Sequence, residues 1–124
     1  MRWMETFPAE RYSARLARRF VQDRLFEFDR EFVGSVVLMV DELVTNAILH
    51  GEGPGFGLRL SRRDPYGVVR VEVRDLSAKA PKLADWGLPE EHGHGLHIVQ
   101  RLADRWGWHG VPGGKVTWFE SRRP

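Results

Sequence analysis

Three short segments of this 124-residue chain carry side chains whose types and spacing suit chemistry. Glu42 and Asn46 lie four residues apart in a stretch of helical periodicity, so they sit one turn apart and point the same way. A carboxylate in that place can accept a proton from water or a hydroxyl, and a carboxamide oxygen can ligate a hard cation. Asp75 follows the alternating run Val69, Val71, Val73, which puts a carboxylate at a strand end where a loop begins. The third segment, Gly93-His94-Gly95-Leu96-His97-Ile98-Val99, is a Gly-x-Gly loop leading into a predicted helix, whose backbone amides favour an anion such as phosphate. Each segment also has a plainer reading: the outer face of an ordinary amphipathic helix, a turn-forming aspartate, and a lone glycine loop.

The elements that must position these groups follow from hydrophobic period and punctuation. Arg2 to Phe7 reads as a short first strand ended by Pro8. From about Arg11 to Phe28, Ala14, Ala17, Val21, Leu25 and Phe28 recur at helical steps, leaving Arg11, Arg15, Arg18 and Arg19 on the outer side. A second helix is predicted from about Glu31 to His50 and stopped by Gly51. Spaced by about 100° per residue, its Val33, Val36, Val37, Val40, Leu43, Val44, Ala47 and Ile48 form a broad core side. Ser35, Leu38, Met39, Glu42, Asn46 and Leu49 fall on the opposite side, a semi-apolar wall that suits a cleft. Two strands follow, about Gly57 to Arg63 and Gly67 to Arg74, joined by Asp64-Pro65-Tyr66. Asp75 to His94 has no pattern, and a loop of that length in a compact domain is usually a lid or disordered. A short helix opens near Gly95 with Leu96, Val99 and Leu102 inward, and strands close the chain at about Arg105 to His109 and Lys115 to Ser121. Helices early and strands late favour an α+β fold, a two-layer sandwich with one mostly antiparallel sheet and helices on one face.

Composition narrows the function. One domain spanning residues 1–124 is expected from the length. The absence of cysteine removes thiol nucleophiles, Cys-type zinc sites and disulfide scaffolds. The longest apolar run, Val36 to Val40, is too short to cross a bilayer, and the N-terminus lacks a signal-peptide core, so a cytoplasmic protein without a membrane partner is expected. With 19 basic and 17 acidic residues the net charge is only +2, and the basic residues are scattered, so no direct nucleic-acid contact is expected. The cluster Glu90, Glu91, His92, His94 and His97 allows a rival, a metallohydrolase with His and Glu ligands.

In order and spacing, the three segments resemble the boxes of the GHKL-type ATPase superfamily, most of all its branch of bacterial anti-sigma-factor serine kinases. Asp41-Glu42-Leu43-Val44-Thr45-Asn46-Ala47-Ile48-Leu49-His50-Gly51 resembles that branch's N-box. Val73-Arg74-Asp75-Leu76-Ser77 resembles the next box, and Gly93 to Val99 with Leu102-Ala103-Asp104-Arg105-Trp106-Gly107 the last. Gly114-Lys115-Val116-Thr117-Trp118-Phe119 resembles the closing strand. The resemblance implies a Bergerat-type ATP-binding fold in which Asn46 holds Mg²⁺, Glu42 is the general base for an attacking serine hydroxyl, and Asp75 accepts from the adenine amino group. Gly93, His94, Gly95 and Leu96 would then wrap the phosphates of ATP under a lid made from residues 78–94. It implies a sigma factor and a small antagonist as partners, the antagonist's serine being the phosphate acceptor, and a homodimer formed through the N-terminal strand and helix region. A switch that binds nucleotide and sequesters a partner without phosphorylating it keeps the same pocket. This chain departs from the wider pattern at Ser77 and Lys79, where glycines are usual, and at Lys115, where many relatives have a threonine that supports the adenine contact. His94 stands where arginine is frequent, and histidine carries less charge at neutral pH.

Overall fold

The computed structural model describes residues 1–79 and 96–124. Among the described residues, eight elements run in the order β1 (Arg2–Pro8), α1 (Ser13–Arg24), α2 (Arg30–His50), β2 (Gly55–Arg63), β3 (Val68–Asp75), α3 (His97–Leu102), β4 (Arg105–Val111) and β5 (Gly114–Arg122). The strands form one five-stranded sheet in the order β1-β2-β3-β5-β4, with every pairing antiparallel. This is the expected α+β sandwich.

Strand alternation divides the sheet into two unlike faces. Phe7, Phe56, Leu58, Leu60, Val69, Val71, Val73 and Phe119 turn inward and form one buried cluster with Ala17, Val21, Val36, Val40, Leu43 and Val44 of the helices. Phe7 seals the β1 end, stacked on Phe56 at 5.6 Å between ring centroids and edge-on to Phe20 at 6.2 Å. The other face is a charged lattice, in which Arg70 bridges Glu72 and Glu120, both at 2.9 Å, and covers the Trp118 ring at 4.1 Å. Trp3 and Trp106 pack against the core, so these aromatics serve packing.

Several local expectations are corrected. α1 is shorter than its apolar period, because Leu25, still fully buried, already leaves helical geometry and caps the C-terminus. Leu102, expected inward, is 44% exposed, since α3 ends there. Met39, assigned to the outer wall of α2, is fully buried. The reason is that α1 and α3 pack on α2 in addition to the sheet, so burial runs round more than one side. α2 is also long and apolar enough to cross a membrane by length and composition, which the five-residue run within it did not suggest; its core position accounts for that apolarity.

Local chemistry fixes both ends of α2. At the start, the Asp29 side chain accepts from the Glu31 amide, an N-cap bond that also places a negative charge at the positive end of the helix. Gly51 ends it without a left-handed residue, at φ −73°. Glycine is required there for space: a Cβ would collide with the Ala47 carbonyl and stand 3.2 Å from the Asp75 Cβ. Gly114, at the start of β5, lies under the Asp75 carbonyl, where a Cβ would collide with the oxygen. Gly114→Ala should therefore force β3 and β5 apart at Asp75 and lower stability by about 1–3 kcal/mol, the usual cost of overpacking. Denaturant unfolding checks this, and an unchanged midpoint would mean that the strand end gives way freely.

Candidate functional site

The polar groups singled out in the sequence collect along one stripe of α2 and at the adjoining end of β3. Met39, Glu42 and Asn46 follow each other at steps of three and four, so they share that stripe. Asn46 is 7% exposed and Glu42 partly buried, so neither lies on an open solvated face.

Glu42 has a task the sequence did not reveal. Its Oε2 accepts the Ile98 amide at 2.8 Å and its Oε1 the Val99 amide at 3.4 Å. Those are first-turn donors of α3, which Leu96 precedes with no side-chain cap of its own. A distant carboxylate thus supplies the cap that the local sequence lacks. Burial pushes the Glu42 carboxyl above the usual glutamate range; the two amides and the nearby His97 pull it back, while Asp41 pushes it further up.

Asp75, 4% exposed, ends β3 directly opposite Lys115 of β5, which is 3% exposed. The Lys115 Nζ donates to Asp75 Oδ1 at 3.0 Å, and the Ser77 amide donates to the same oxygen at 2.8 Å. Among the described residues no hydrogen bond goes to Oδ2, and Oδ2 is not one of the fully enclosed unpartnered atoms. Gly51, immediately after α2, rests against this side chain, so Asp75 abuts the end of the helix that carries Asn46.

Leu96 is fully buried, a core residue beside the start of α3. Gly93, His94 and Gly95, most of the lid at 78–94, and Glu90, Glu91 and His92 of the metal-type cluster lie outside the described residues. Among the described residues no group of three His, Asp or Glu could hold a metal ion. A cavity of about 630 Å³ lined by Arg2, Arg62, Arg70, Arg105 and Arg122 contains none of the groups above. Three of its arginines are held in ion pairs, Arg62 with Glu27, and Arg70 and Arg105 with Glu120.

A sheet with helices on one face, a carboxylate and a carboxamide on one helix, and a buried aspartate at a strand end define a class, the histidine kinase-like ATPases. The chain belongs to this family, whose domain model matches residues 7–120. No curated protein matches the sequence. Among solved structures the fold is similar, with a TM-score of 0.76 at 22% identity, to the RsbU and RsbW domains of Rv1364c from Mycobacterium tuberculosis. That likeness covers 100% of this chain and 33% of the other, so this chain spans about a third of its neighbour's length.

Glu42→Ala removes the acceptor that holds α3. We expect faster hydrogen exchange at the Ile98 and Val99 amides and a loss of about 1–2 kcal/mol, the range for a lost helix cap. Unchanged protection at both amides would show that packing alone holds the helix.

Proposed function

We propose that this chain binds Mg-ATP and transfers a phosphoryl group to a serine of a small antagonist protein, as an anti-sigma-factor-type regulatory kinase of the cytoplasm. Supporting this is one arrangement, a carboxylate and a carboxamide one turn apart on α2, whose end abuts the buried Asp75, inside a domain of the ATPase family. The proposed partners are a sigma factor and its antagonist, and the proposed assembly is a homodimer.

In this reading the Asp75 carboxylate accepts from the adenine amino group through Oδ2, the oxygen that no described residue uses. Asn46 offers its amide oxygen to Mg²⁺, a hard cation suited to oxygen donors. Bound Mg²⁺ would offset the negative charge of the phosphates. Backbone amides of Gly93, His94, Gly95 and Leu96 would donate to phosphate oxygens. Phosphoryl transfer depends mostly on positioning and charge neutralisation, so little else is asked of the protein. Glu42 takes the proton of the serine hydroxyl. Each carboxylate oxygen has two lone pairs, so Glu42 can hold the α3 amides and still present an acceptor. Its raised pKa suits this, because a base works best when its pKa lies nearer the working pH.

A second reading keeps the pocket and omits catalysis, leaving a switch that sequesters its partner. The engagement of Glu42 by two α3 amides favours it, since those bonds draw on the lone pairs a base would use.

Three measurements decide. Asn46→Ala should weaken Mg-ATP binding at least tenfold by calorimetry, and unchanged affinity in a folded variant would remove Asn46 from the metal site. Glu42→Gln keeps an amide acceptor for Ile98 but has no basicity, so ATP affinity should hold while transfer to a cognate antagonist falls by roughly two or more orders of magnitude. No transfer by the unaltered chain would favour the switch. The sign with pH follows from the base acting when ionised: transfer should decline as pH falls through a pKa above that of an ordinary glutamate. That limb should be missing from the residual activity of Glu42→Gln.

A further inference from the structure

Asp75 and Lys115 form an ion pair in which each residue is more than nine-tenths buried. Such pairs are weak evidence for stability, because removing both charges from water costs about as much as their attraction returns. An apolar pair at the same cross-strand position would hold β3 and β5 together as well. What the pair supplies that an apolar one cannot is a fixed polar edge. An ammonium has three N–H donors and no acceptor; among the described residues its hydrogen-bond partner is Asp75 Oδ1 alone. The Ser77 amide also binds Oδ1, so both bonds fall on one oxygen and no described residue uses Oδ2. Donor hydrogens and an acceptor oxygen therefore stand side by side, anchored in register on neighbouring strands.

We infer that Lys115 is a specificity-determining residue that reads the purine ring, its Nζ donating to N1 of adenine while Asp75 Oδ2 accepts from the 6-amino group. This rests on the assignment of Asp75 to the adenine contact and adds a second point of readout. Adenine's pairing edge offers a donor beside an acceptor, the complement of the Asp75–Lys115 edge. Guanine in the same pose sets its 6-oxo group against the carboxylate and its N1–H against the ammonium, so both contacts turn repulsive. The pair reads one base because it has one group of each sign.

The test compares Mg-ATP with Mg-1-deaza-ATP, which keeps the 6-amino group and replaces N1 by C–H, using calorimetry on the full 124-residue chain. The unaltered protein should bind the analogue on the order of ten- to a hundredfold more weakly, the range for a hydrogen bond to a charged group. In Lys115→Met, which keeps the unbranched apolar stem, the two nucleotides should bind alike. Equal affinities in the unaltered protein overturn the role of Lys115 and leave ATP binding standing. Discrimination that persists in Lys115→Met overturns it also, since another group must then read N1. If Lys115→Met fails to fold, Lys115→Gln takes its place in the comparison, and equal affinities in the unaltered protein still overturn the proposal. Absence of ATP binding by the unaltered protein removes the proposed function itself, and this inference with it.

Discussion

The enclosure of α2 sets the terms for every polar group in the candidate site. The helix lies on β2, β3 and β5 with α1 and α3 packed on it. Phe32, Val36, Met39, Val40, Leu43 and Val44 are buried along its length. Burying each such side chain contributes about 1.5–3 kcal/mol, so the rotation of α2 about its own axis is decided by the core. Glu42 and Asn46 take the direction that rotation leaves them. Turning the helix by one residue, about 100°, would bring Glu42 towards the apolar layer and expose part of the valine side. The placement of the polar pair is thus a by-product of hydrophobic packing, and it is rigid for the same reason.

The second consequence concerns α3. A helix of six residues has too few internal bonds to hold itself in water. Its first-turn amides have no local capping side chain, and the acceptor comes from Glu42, 56 residues away from Ile98. One carboxylate therefore joins two helices and is also placed on the polar stripe of α2 as a group able to accept a proton. Partial burial raises its pKa while the amides favour its charged form. The net direction is up, which makes Glu42 a stronger base than an ordinary glutamate. Structural and chemical demands agree on the ionised state and compete only for lone pairs.

Local pattern made much of this legible. Valines alternating at 69, 71 and 73 defined the inner face of β3, and the helix bounds at Arg30 and His50 lie within one residue of those that period and glycine suggested. Glu42, Asn46 and Asp75 were singled out by spacing and strand position, and the fold brings Asp75 against the end of the helix that carries the other two. What escaped was non-local. Met39 sits on the outer side by angle alone, and its burial goes with the packing of α1 and α3 on α2. The capping role of Glu42 had one faint signal, the lack of Ser, Thr, Asp or Asn just before α3, which leaves its amides in need of a distant acceptor. Gly51 was expected to stop α2 and does; what local pattern could not show is that a Cβ there would collide with the Ala47 carbonyl and crowd the Asp75 Cβ.

Lys115 shows how far a single position can depend on register. It is 40 residues from Asp75 in sequence, and nothing in the periodicity of either strand couples them. The antiparallel pairing of β3 with β5 brings Asp75 opposite Lys115 and Val73 opposite Thr117, so the inward-facing pairs change from fully apolar to mixed and then to charged towards the end of the sheet. A slip of one residue would turn Lys115 to the charged outer lattice and bring Val116 inward, leaving Asp75 buried without a partner. An unpaired buried carboxylate is far more costly than a paired one, so the ion pair penalises the wrong register strongly even though it adds little to the right one. Gly114 acts on the same point from the backbone side, since its missing Cβ is what lets β5 pass under the Asp75 carbonyl. The charge pair and the glycine together hold the end of β3 in one place, and the Asp75 oxygen that no described residue uses is fixed with it.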